Sequence, residues 1–114
     1  MPARSNPLKL NKLQLKTLVI LQEIARQPLM AETDAATGEV LITMLPEPHG
    51  NHFHVGPRIV MSRDASGLTN PAVWTALERK GLVRRTPHGH TLTREGLDYE
   101  VGPARDEILL GSDH

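Results

Sequence analysis

Asn70-Pro71-Ala72-Val73-Trp74-Thr75-Ala76-Leu77-Glu78-Arg79-Lys80-Gly81-Leu82-Val83-Arg84-Arg85 reads as a short helix that runs directly into a strand. Asn70 is a good helix cap, and Pro71 at the first helical position lacks an N–H that the helix would leave orphaned. Val73, Trp74 and Leu77 share one face, and Lys80 lies in the last turn, where the helix dipole favours a cation. Gly81 is the left-handed residue that ends the helix. The outward face is then Ala72, Thr75, Ala76 and Arg79.

On the C-terminal side, Val83 to Thr86 is strand-like, Pro87-His88-Gly89 is a tight turn, and His90-Thr91-Leu92 is the return strand. Thr93 caps a helix predicted over Arg94 to Val101. Gly102-Pro103 breaks it, and residues 102–114 form an acidic tail or a last short helix carrying Ile108, Leu109 and Leu110. On the N-terminal side, residues 1–10 read as a flexible arm. Asn11 opens a helix predicted to run from about Lys12 to Arg26, with Gln14 completing a capping box and Leu10 and Leu15 placed for a hydrophobic staple. Leu15 and Val19 lie outside its main apolar arc. They fit either a neighbouring hairpin or a subunit contact.

Residues 27–38 read as a connection, with room for one helical turn. Residues 39–61 read as a single β-hairpin with a wide tip: Val40 to Leu45 going out, a turn cluster from Pro46 to Asn51, and His52 to Met61 returning with an interruption at Gly56-Pro57. Ser62 to Thr69 is a polar loop with space for a short helical turn.

The order helix, strand, turn, strand, helix over residues 70–101 resembles the second half of a winged-helix domain. Leu77-Glu78-Arg79-Lys80-Gly81-Leu82-Val83 followed by Leu92-Thr93-Arg94-Glu95-Gly96 is similar to the phrases of the bacterial MarR- and PadR-type regulators. There the recognition helix ends in Leu-x-x-x-Gly-Leu-Val, and the wing returns into Leu-Thr-x-x-Gly. The resemblance covers about thirty residues, and Lys12 to Arg26 matches the usual opening helix loosely. It implies an α+β winged-helix-like domain over residues 11–101, with an extra β-hairpin at 39–61 ahead of the recognition-type helix. It also implies a second helix just before that one, which is either squeezed into Ser62 to Leu68 or missing.

Charge distribution bears on partners. Lysines plus arginines equal aspartates plus glutamates, at 13 each. Residues 58–94 nevertheless hold seven cations against two acids, and residues 95–114 one cation against six acids. A basic segment is followed by an acidic one. Apolar residues make up 39% of the chain, enough for one mainly aliphatic core. With no cysteine, disulfide and thiol chemistry are excluded. No bilayer-spanning run and no signal peptide at Met1 to Leu10 are visible, so a cytoplasmic location and no membrane partner are expected.

Two classes of function follow. The first is a transcriptional regulator binding double-stranded DNA, with residues 71–80 in the major groove and the 83–92 hairpin on backbone or minor groove. Its expected contacts are Arg63, Thr69, Asn70, Thr75, Arg79, Lys80, Arg84, Arg85 and His88, with Arg58 and Arg94 further candidates for phosphate. Base edges are read by long donors, which the outward helix face supplies only in Asn70 and Arg79. The second is a winged helix used for protein–protein contact through the tip at 46–54 and the alanine-rich helix face. A homodimer is expected to use Leu15, Val19 and the 108–110 segment.

His49, His52 and His54 are candidates for a metal, with Glu47 as a possible fourth ligand, or else a polar surface or a pH-sensitive contact. Asp64 and Ser66 beside His52 or His54 make a hydrolase-like trio on paper, but no nucleophile elbow, phosphate-binding glycine loop or zinc-protease helix accompanies them. The expectation is no enzyme and no cofactor.

Overall fold

The computed structural model describes residues 5–111. Its first helix, α1 (Lys12–Ile24), starts as the sequence dictates: the Asn11 side chain accepts from the Gln14 N–H at 2.8 Å, and the Gln14 side chain accepts from the Asn11 N–H at 3.1 Å. Every residue from Thr17 to Ile24 is buried. An α-helix enclosed on all sides is a core element, so its polar residues must find partners inside the protein. Thr17 Oγ1 donates back to the Leu13 carbonyl at 2.8 Å, and Gln22 Nε2 donates to the carbonyls of Gly96 (2.9 Å) and Tyr99 (3.1 Å). The Glu23 carboxylate accepts from Arg105 at 3.1 Å and from Gln27 at 3.0 Å.

The strands form two four-stranded antiparallel sheets. The first contains β1 (Ala31–Thr33), β2 (Val40–Ile42), β6 (Val83–Thr86) and β7 (Gly89–Leu92), in the order β1-β2-β7-β6. The second contains β3 (Pro48–His49), β4 (His52–Val55), β5 (Arg58–Met61) and β8 (Leu110–Gly111), in that order. The expected single hairpin over 39–61 is therefore corrected. Val40 pairs with Leu92 in the first sheet, whereas 48–61 forms a separate meander in the second. The physical reason is the two short turns within that stretch. Gly50-Asn51 joins β3 to β4, and Gly56-Pro57 joins β4 to β5. Gly56, at φ +58°, fills the first position of a two-residue turn, which requires positive φ. It turns the chain rather than interrupting a strand. Residues 31–33, expected within a connection, are a strand because β2 offers them an edge.

Two short 3-10 turns (Ser62–Asp64 and Ser66–Thr69) follow where the polar loop was expected. The second lies against α1 at Gly67, where any Cβ would collide with Thr17 Oγ1. Next come α2 (Pro71–Arg79), α3 (Arg94–Asp98) and α4 (Ala104–Ile108). Thr93 caps α3 by accepting from the Gly96 N–H at 3.0 Å. The helix stops at Asp98 rather than continuing to Val101, and Gln22 takes up carbonyls at its end.

The C-terminal segment closes the core. α4 packs on α1, and Ile108 and Leu109 are buried inside the chain. Val19 is fully buried as well, so of the residues expected at a subunit contact only Leu110 is exposed, with Leu15 half-buried. Residues 5–10, expected as part of an arm, are tied to this end: the Asn6 N–H donates to Glu100 O, and the Leu8 N–H to Tyr99 Oη at 2.9 Å. Tyr99 Oη in turn donates to Asn6 Oδ1 at 2.6 Å. The remaining arm residues 1–4, and 112–114 of the acidic tail, lie outside the described residues. Among the described residues no helix is long and apolar enough to cross a membrane.

Candidate nucleic-acid interface

Each end of α2 is built as its sequence predicts. The Asn70 side chain accepts from the Ala72 N–H at 3.0 Å. At the other end Leu82 N–H donates to Leu77 O, and Gly81 N–H to Glu78 O, both at 3.0 Å, with Gly81 at φ +75°. This double closure satisfies the last carbonyls and sends the chain directly into β6. Val73, Trp74 and Leu77 are buried; Ala72, Thr75 and Arg79 are exposed, and Ala76 is half-buried. The outward face is thus the one expected.

Trp74 fixes α2 against its neighbours. Its indole N–H donates to Leu68 O at 2.9 Å, and its ring stacks on His90 with centroids 4.2 Å apart. His90 opens the return strand expected from the sequence and lies two residues from fully buried Leu92, so strand alternation places both on one face of β7. Burial lowers the His90 pKa from its ordinary 6.5, with smaller opposing contributions from Glu78, which raises it, and Arg85, which lowers it. His90 Nε2 has no hydrogen-bond partner among the described residues.

The cations divide into paired and unpaired. Arg84 is bound to Glu39, and Arg85 to Glu78 at 3.3 Å, while both guanidinium side chains stay more than half exposed. Arg94 lies 3.9 Å from Asp98. Arg58 donates to the Leu109 carbonyl and is half-buried. Lys80 Nζ reaches Leu8 O at 3.4 Å. Arg63 and Arg79 are exposed, with no ion-pair partner among the described residues. Thr69 Oγ1 donates to Ser66 O at 3.3 Å, and His88 is exposed at the tip of the β6–β7 turn. The structure therefore gathers Asn70, Thr75, Arg79 and Lys80 on α2 and its caps, with Arg84, Arg85 and His88 on the adjoining hairpin.

Beside this unit runs an apolar concavity that sequence reading missed. A cleft of about 170 Å³ is lined by Ile42, Met44, Leu45, Trp74 and His90. A second, of about 300 Å³, continues from Leu45 past Pro46, Phe53 and Leu68. Met44 and Leu45 are 56% and 38% exposed, which marks an apolar rim. The signal in the sequence was the apolar run continuing beyond Ile42, which had been assigned to a strand.

Asp64 is held by Lys16 at 2.7 Å and Ser66 is exposed, and neither hydrogen-bonds to His52 or His54. The hydrolase-like trio does not assemble. No protein-family model, curated protein or solved structure matches the chain.

Proposed function

We propose that this chain is a winged-helix-type transcriptional regulator that binds duplex DNA through α2 and the β6–β7 hairpin. The observation that carries the reading is the joined unit itself. A helix capped at both ends exposes Ala72 and Thr75, with half-buried Ala76 beside them and Arg79 at its end, and passes through Gly81 into a hairpin bearing Arg84 and Arg85. Small residues let the helix approach a groove closely, and Thr75 and Ala76 suit contact with a thymine methyl. With Arg79 the one exposed arginine on α2, affinity comes mainly from phosphate contacts and sequence discrimination is modest.

Glu39 and Glu78 compete with phosphate for Arg84 and Arg85. Exposed ion pairs are worth only about 0–1 kcal/mol, so a phosphate displaces them, but the carboxylates remain nearby and weaken binding. Titration of duplex DNA into the protein at two salt concentrations tests the reading. Binding that weakens steeply with salt and is reduced by Arg84→Ala/Arg85→Ala supports it; absence of binding at low salt overturns it.

A second reading is favoured by the cleft along Met44, Leu45 and Trp74 and by its apolar rim. Here the same fold docks a protein partner, with the 46–54 segment at the cleft's edge. Loss of DNA binding in every condition, with a partner captured by the wild type and not by Met44→Asp, distinguishes it.

A further inference from the structure

The three histidines of the second sheet converge for a reason of register. His49 pairs directly with His52 across β3 and β4, and His54 lies two residues along the same strand, so all three side chains share one face. The rings form a cluster: His52 and His54 centroids are 4.9 Å apart, His49 and His54 5.4 Å, and His49 and His52 6.3 Å.

We propose that His52 and His54 form a chelate for a borderline divalent metal ion of the zinc class, with His49 turning in as third ligand. Their Nε2 atoms face each other at 3.3 Å. Two imidazole nitrogens on one tetrahedral zinc, each ~2.0–2.1 Å from the metal, stand roughly 3.3–3.4 Å apart. The same separation fits an Nε2–H donated from His54 to His52; the ion displaces that proton from Nε2 and His54 takes one up from solvent at Nδ1, so both rings bind as neutral imidazoles. His52 Nδ1 lies 3.2 Å from Asn51 Oδ1. Donation from Nδ1 to that oxygen leaves the lone pair on Nε2, the tautomer a metal ligand needs.

Rings sharing one tetrahedral ion have centroids roughly 5 Å apart, so two of the three pairs are already spaced for it and His49 closes on His52 by about 1 Å. No set of three His, Cys, Asp or Glu side chains among the described residues is already arranged to hold an ion. The site is therefore an open one: His52 and His54 stand at chelating distance, His49 must close on them to serve as third ligand, and water would complete the coordination. Glu47 is exposed, and it forms no preset ligand group with the histidines among the described residues.

The test is a titration of zinc, and of cobalt(II) as a spectroscopic probe, into the full chain. The expected result is one ion per chain, with the ring resonances of His49, His52 and His54 shifting together while those of His88 and His90 stay put. His52→Ala and His54→Ala each weaken binding by roughly tenfold or more, and His49→Ala by less. Unshifted ring resonances in the wild-type chain, or equal affinity in the His52→Ala/His54→Ala variant, would overturn the proposal. The wild-type spectrum decides the matter even where a variant fails to fold.

Discussion

The α2–β6–β7 unit and the stretch from Ala31 to Met61 are both built from short elements, but they are held in different ways. The first is closed by neighbours in sequence: an asparagine cap, a glycine stop and a two-residue turn whose register runs from Val83 opposite Leu92 to Thr86 opposite Gly89. The second closes its own hairpins and meander but depends on distant partners to join the rest of the protein. β2 finds its edge in β7, and β5 finds β8 at the far end of the chain. Local closure makes a unit that can be remodelled on its exposed face; distant closure makes a frame that must be complete before it is stable.

Breaking Trp74 disturbs the junction of these regions and carries the largest expected effect. Trp74→Ala removes a buried ring, the hydrogen bond to Leu68 and the stack on His90. It should cost about 3–5 kcal/mol in urea unfolding. A loss below about 1 kcal/mol would mean that α2 is not anchored there. Gln22→Leu comes next, because it strips the donor from the carbonyls of Gly96 and Tyr99. A loss of about 1–3 kcal/mol is expected from equilibrium unfolding.

These contacts also explain what the sequence could disclose. Asn70, Pro71, Gly81 and Thr93 act on their immediate neighbours, so their helix ends were legible from spacing alone. The capping box at Asn11 and Gln14 was equally plain. Val40 to Ile42 was recognisably a strand, but its partners β1 and β7 were not, because nothing within three residues of Val40 specifies Leu92. Gly56-Pro57 was misjudged for a related reason: the pair suits an interruption or a turn, and only the register of β4 against β5 decides. In the candidate site, the residue types on α2 and the hairpin were legible. The carboxylates Glu39 and Glu78 that bind their arginines were not, since one of those pairings spans 45 residues.

Neutralising those carboxylates sharpens the contrast on the exposed face. Glu39→Gln/Glu78→Gln frees Arg84 and Arg85 for phosphate and should raise affinity for duplex DNA roughly two- to fivefold at low salt. Unchanged affinity in a DNA-binding protein would place the contact elsewhere.

The smallest expected effect is on pH. Since burial lowers the His90 pKa below 6.5, the unfolded chain takes up the proton first as pH falls. The stability associated with neutral His90 is full above 6.5 and is lost between 6.5 and the lower folded-state value. Urea midpoints for wild type and His90→Gln, compared at about pH 7.5 and 5.5, isolate this contribution from the other histidines. The wild type should lose more on acidification.

The salt dependence of duplex binding is the measurement that decides the proposed role of α2 and the β6–β7 hairpin. Contacts from Arg79, Lys80, Arg84 and Arg85 to four phosphates predict a slope of log affinity against log salt of about −3.6, reduced to about −1.8 in Arg84→Ala/Arg85→Ala. No binding at low salt, or a slope that the double variant leaves unchanged, would contradict it.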